Sequence, residues 1–214
     1  MATQLSLYND ALLFCGERFL ASLTENREPR RLLDQVWAQG GVKACLERGE
    51  WNFATRTIQI DYDPSIQPSF GLANAFQKPT DWVRTAGLCS DPFFRVPLLQ
   101  YTDEGGFWFA DLQTLYVRHI SNDNNYGMNL AAWPESFREY VACHFATKIV
   151  LKLSNSQAMY EGLLKEEDRL LEKAKGDSAR DKPTKFPAQG AWSRARTRYA
   201  SRRDGGNTTG NLTG

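Results

Sequence analysis

Leu5, Tyr8, Leu12, Cys15 and Phe19 recur at spacings of three and four, which puts them on one face of a first helix, predicted over about residues 4–21. A polar connection, 22–28, follows, and Pro29 then falls in the first turn of a second helix, where its missing N–H is harmless. That helix, predicted over about 27–48, carries Leu32, Leu33, Val36, Trp37, Ala44 and Cys45. Gly40-Gly41 inside it costs about 1 kcal/mol per glycine, so a bend is expected there.

At Trp51 the period changes from 3.6 to two. Ala54, Arg56, Ile58, Ile60 and Tyr62 face one way, and Phe53, Thr55, Thr57 and Gln59 the other, as in a strand closed by Pro64 and Pro68. Trp82–Leu88, Arg95–Tyr101, Phe107–Ala110 and Leu115–Ile120 are further short strand candidates, separated by turn-rich pieces such as Thr102-Asp103-Glu104-Gly105-Gly106. Connections this short favour an antiparallel meander over about 51–121.

Pro134-Glu135 then opens a helix over about 134–153, with Phe137, Val141, Phe145, Ile149 and Leu153 every four residues. Asn155-Ser156 supplies a stop and a fresh N-cap. A last helix, about 156–175, presents Tyr160, Leu163, Leu164, Leu170 and Leu171. The expected fold is therefore α+β: N- and C-terminal helix pairs packed as a bundle, with a small antiparallel sheet inserted. One domain, 1–176, precedes a tail, 177–214, in which apolar periodicity ends and an extended or disordered state is expected.

The net charge of +1 conceals a split. Residues 177–214 hold eight Lys/Arg against three Asp, or +5, which leaves −4 on 1–176. No apolar run approaches the ~18 residues of a membrane span, so no membrane anchor is expected. Nor do the first twenty residues, interrupted by Asn9, Asp10, Glu17 and Arg18, read as a secretory signal; a cytoplasmic origin is expected.

Candidate chemistry is sparse. Cys15, Cys45, Cys89 and Cys143 are widely spaced and read as buried thiols, and with only His119 and His144 a zinc set is not expected. Phosphate-loop, dinucleotide, serine-hydrolase and zinc-protease motifs are missing from the sequence. Cys143 and His144 are adjacent on a helix and point about 100° apart, which does not make a nucleophile and base. Asp61 and Asp63 read as a solvated strand end, and Asp81 as a turn or cap residue. Neither catalysis nor a cofactor is expected. In the tail, Arg194, Arg196, Arg198, Arg202 and Arg203 interleave with Trp192 and Tyr199. This composition suits a nucleic-acid arm, an arm that clamps an acidic protein partner, or a charged tail with no partner.

Several of these features occur in an order that resembles the tail tubular protein A family, the head-to-tail adaptors of short-tailed bacteriophages. Ala11-Leu12 and Ser22-Leu23-Thr24-Glu25 match the early helix and turn, and Trp51-Asn52-Phe53-Ala54 the W-x-F-A junction. Phe76, Pro79, Asp81 and Arg84 match a P-x-D-x-x-R box, with Lys78 where the family has an apolar residue. Tyr116 and Ile120 match a late strand, followed by the helix FREYVACHFATKIVLKLSNS.

The resemblance covers about residues 5–175. It implies a virion protein of the tail or neck, assembled in the host cytoplasm. It also implies a dodecameric ring of copies between the portal protein and the tail nozzle protein, with a channel through which DNA passes without specific binding. Trp51, Phe53, Phe76, Pro79, Asp81 and Arg84 are then structural anchors. The tail lies outside the resemblance, and the charge split alone suggests that its residues clamp a neighbouring copy or the portal. The alternative is a nucleic-acid-binding module acting through that tail.

Overall fold

The computed structural model describes residues 3–182, apart from 67, 69 and 70. It is a mixed α+β structure of five helices and two three-stranded antiparallel sheets.

Helix α1 (Gln4–Phe14) begins at Thr3, whose side chain accepts from the Ser6 amide in a capping box. It ends a turn and a half before the periodicity does. Gly16 takes φ +69°, and the Gly16 and Glu17 amides turn back to the Leu13 and Leu12 carbonyls. These two bonds form a Schellman stop. The second predicted helix is two: α2 (Glu28–Ala38) and α3 (Gly41–Glu47), separated at Gly40 with φ +81°. Helix α4 (Glu135–Ser154) is buried on most of its circumference and packs against α1, α2, α3 and α5 (Gln157–Arg180). Asn155, in the left-handed region, ends α4, and the Ser156 side chain caps α5.

Helix α5 runs to Arg180, past the boundary expected near 176. Its last turn is held by polar bonds and not by apolar side chains: the Asn52 amide nitrogens donate to the Ser178 hydroxyl and carbonyl oxygens. The charge split survives this change, since Asp177, Arg180, Asp181 and Lys182 cancel.

The β region is not a meander. Strand β6 (Thr114–Ser121) is the centre of one sheet, flanked by β1 (Thr55–Asp61) and β3 (Trp82–Cys89). The other has β5 (Phe107–Ala110) between β2 (Asn74–Gln77) and β4 (Thr102–Glu104). Strand β6 is central because it has apolar or buried partners on both sides: Val117 lies opposite both Ile58 and Leu88. Phe76, Trp108, Ala110, Leu115, Val117 and Leu88 form the core between the sheets. Ile120 and Val83 join the larger helical core.

Three strand assignments differ from expectation. Strand β2, four residues with Ala75 and Phe76 buried side by side, is too short to show a period of two and is not among the expected strands. Thr102–Glu104 is a strand whose hairpin turns at Gly105-Gly106, both with positive φ, as a two-residue I′ turn requires. Arg95–Tyr101 is not a strand. The Asp91 carboxylate accepts from the amides of Phe93, Arg95 and Val96 and curls the chain into a loop, with Phe94 at φ +54°. The Cys89–Pro97 bridge, the Leu98 amide on the Leu88 carbonyl and the Arg118 guanidinium over the Phe94 ring tie this loop to the sheet.

Candidate interaction surface

The junction between helices and sheet is built around Trp51, which is 1% exposed. A 3-10 turn, Asn52–Ala54, follows it and converts the helical chain to β1. The Trp51 and Phe53 rings lie 4.7 and 4.8 Å from the Phe137 ring of α4, and the Trp51 indole N–H donates to the Leu46 carbonyl at 3.1 Å. Gly49 has to be small, because a Cβ there would sit 2.7 Å from the indole.

Arg56, His119 and Ser121 occupy one face of their sheet, as the period of two dictates, and all three point at Asp81. Arg56 Nη1 lies 2.9 Å from Asp81 Oδ2, His119 Nε2 lies 3.5 Å away, and the Ser121 hydroxyl donates to the same oxygen. Burial alone would raise the Asp81 pKa, but the Ser121 and Arg56 hydrogen bonds outweigh it and hold the carboxyl below its usual range. Burial pushes the His119 ring down, against the pull of Asp81. Serine, histidine and aspartate meet here without a catalytic relay, since the serine donates to the aspartate and not to the histidine. The Asp81 main-chain carbonyl also accepts from the Asn122 amide, so the residue that reads in sequence as a turn or cap residue ties the start of β3 to β6 and β1 through both backbone and side chain.

The rest of the box is graded. Phe76 is fully buried between the sheets. Pro79 accepts the Trp82 amide and lines a groove described below. Arg84 is exposed and reaches the Glu47 carbonyl at 3.5 Å. Lys78 fills its apolar position with its stem, 8% exposed, while its ammonium lies 3.8 Å over the Trp82 ring and pairs with Asp103.

A second polar centre lies among the helices. Glu167 of α5 accepts from His144 Nδ1 and Arg48 Nη1, each at 2.9 Å. The sequence carried a signal for it: Glu167 interrupts the apolar stripe Leu163, Leu170, Ala174 at the position where another apolar residue belongs. Cys143 points away from His144, its thiol directed at the Leu163 carbonyl. All four cysteines are buried, and burial pushes the Cys45 and Cys143 thiols up to about 12. Among the described residues no group of three or more His, Cys, Asp or Glu is placed to hold a metal ion.

The chain matches no family model and no curated protein.

Two surface features remain that sequence reasoning did not single out. The loop after β3 exposes Phe93 (73%) and Leu99 (87%), with Val96 and Tyr101 beside them. Arg95 and Arg118 lie over the Phe93 and Phe94 rings. Along β1, an open groove of about 580 Å³ is lined by Ile58, Ile60, Tyr62 and Pro79 and rimmed by Asp61 and Asp63. The tail residues Trp192, Arg194, Arg196, Arg198, Tyr199, Arg202 and Arg203 lie outside the described residues. No helix among the described residues is long and apolar enough to cross a membrane.

Proposed function

We propose that this chain is a structural head-to-tail adaptor of a short-tailed phage. In this reading copies form a dodecameric ring between portal and nozzle, and DNA leaves the capsid through its channel. The helices pack as a bundle around α4, and the sheets project from it.

The observation that carries the reading is the convergence of motifs far apart in sequence. Trp51 and Phe53 of the W-x-F-A junction pack at a tilt against Phe137 of the late helix. Asp81 of the P-x-D-x-x-R box binds Arg56, which follows that junction, and Ser121, which ends the late strand. The residues that carry the family resemblance thus build the joint between helices and sheet at Trp51 and Phe53 and the polar tie among β1, β3 and β6 at Asp81, as expected of a shared fold. The histidines, Cys143 and the central carboxylates are engaged with one another or with backbone inside the protein, which suits a subunit that works by shape and without catalysis.

The net −4 of residues 1–182 suits a wall past which DNA slides, because an acidic lining repels phosphates. The +5 carried by 183–214 suits an arm clamped on the portal. Electron microscopy of the purified chain mixed with the portal protein of the same phage tests this. A ring of copies seated on the portal is expected. Virions that lack the protein at the neck would overturn the proposal.

A further inference from the structure

On the adaptor reading, we infer that neighbouring copies join by inserting the Phe93–Leu99 loop of one subunit into the β1 groove of the next. An exposed apolar cluster of this kind marks an interaction site, and arginine with aromatic rings is the composition of interface hot spots.

The charges choose the partner. Arg95 and Arg118 flank the apolar tip with their guanidinium groups over rings and form no salt bridge among the described residues. The one acid of the loop, Asp91, feels the Arg95 charge but spends its oxygens on the Phe93, Arg95 and Val96 amides, which leaves the tip net basic. Asp61 and Asp63 rim an apolar floor, and among the described residues they too have no ion pair. Asp61 accepts only from the Thr114 hydroxyl, and Asp63 from Ser65. The groove's other charge, Lys78, is already neutralised by Asp103. A basic apolar tip thus faces an acidic apolar cleft.

Within one subunit the loop does not line the groove. The groove follows β1, the loop leaves β3, and β6 stands between those two strands. The loop is tied to its own β3 edge by the Cys89–Pro97 bridge and the Leu98–Leu88 hydrogen bond. A contact between two different patches on opposite edges is heterologous. Repeated, it closes a ring or extends a filament.

Complementary variants test the inference in the full-length chain. L99S/R95E removes the tip and D61A/D63A the rim. All four positions lie at the surface, and circular dichroism verifies that both variants fold. Sedimentation should show self-association of the parent weakened by about tenfold or more in each variant alone. Mixing the two should give a one-to-one dimer that grows no further, since each variant retains one intact face. A second measurement uses L99C/D63C, whose two engineered thiols are accessible while the four native ones are buried. Oxidation should give a ladder of covalent multimers, whether the chain is alone or seated on portal.

No ladder under either condition overturns the inference, as do rings that still form on portal from L99S/R95E, a result that leaves the adaptor reading standing. A ladder in a protein that ignores portal supports the loop–groove contact and removes the adaptor reading instead.

Discussion

His144 of α4 meets Glu167 of α5 at 2.9 Å inside the helical core, where the glutamate is only 4% exposed. Burial on its own would raise the Glu167 pKa. The His144 hydrogen bond, with the charges of His144 and Arg48, outweighs it and holds the carboxyl below its usual range.

The folded protein therefore takes up the Glu167 proton less readily than the unfolded chain does. Its stabilising contribution is complete above the ordinary glutamate value of about 4.3 and is lost as pH falls through the lower folded value. Urea midpoints measured from about pH 7 down to pH 3 should fall on the acid side, and the fall should be shallower in E167Q. An equally steep acid limb in E167Q would show that other carboxylates control it. E167A should cost about 3 kcal/mol, at the low end for breaking a buried pair, because Arg48 is 46% exposed and can return to water.

Trp51 is the side chain whose loss should open the largest void at the helix–sheet joint. Trp51→Ala should cost ~3–5 kcal/mol, in the range of large aromatic truncations. Gly49→Ala attacks the same packing from outside, since its Cβ would press on the indole at 2.7 Å. A loss of ~1–3 kcal/mol is expected. Thermal melts that leave both variants unchanged would remove Trp51 from this role.

Within the P-x-D-x-x-R box the two charged residues should behave differently. Asp81 holds three side chains from two other strands, so Asp81→Ala leaves Ser121 and His119 buried without their acceptor and should cost ~1–3 kcal/mol. Arg84 is exposed with a single 3.5 Å contact, and Arg84→Ala should stay within about 0.5 kcal/mol. Equal losses in chemical denaturation would mean that Arg84 does more than this geometry allows.

What was readable beforehand follows from which interactions leave a periodic mark. Apolar period located α4, β3, β5 and β6 within a residue or two, and the Asn155-Ser156 break between the last helices was legible as a stop and a cap. Backbone geometry at single residues was harder to read. Gly16 ended α1 early by a positive φ that periodicity does not encode, and at Gly40, where the glycine pair predicts a bend, a positive φ splits the helix in two. Pairing was harder still. That β6 lies between β1 and β3 depends on contacts of Val117 with Ile58 and Leu88, residues 59 and 29 positions away in the chain. Arg95–Tyr101 reads as a strand because Val96 and Leu98 alternate with other residues, and a single carboxylate, Asp91, binds the Arg95 and Val96 amides and redirects the chain.

The end of α5 gives the sharpest contrast between apolar pattern and polar anchoring. Truncation after Lys182 removes no contact among the described residues and should leave the melting temperature unchanged. Truncation after Gly176 also removes Ser178, and with it both Asn52 hydrogen bonds at the mouth of the helix–sheet joint, together with the Lys182–Glu50 pair. Two hydrogen bonds at about 1 kcal/mol each, with the long Ser178 hydroxyl to Glu50 carbonyl bond of 3.4 Å and a surface ion pair adding little, put the expected loss near ~2 kcal/mol. Ser178→Ala in the full chain should reproduce only part of it, because the Asn52 side chain bonds the backbone carbonyl of residue 178 and keeps that partner. If the two truncations melt together, the last turn of α5 contributes nothing to the joint, and the domain ends at Gly176 as the apolar pattern alone indicated.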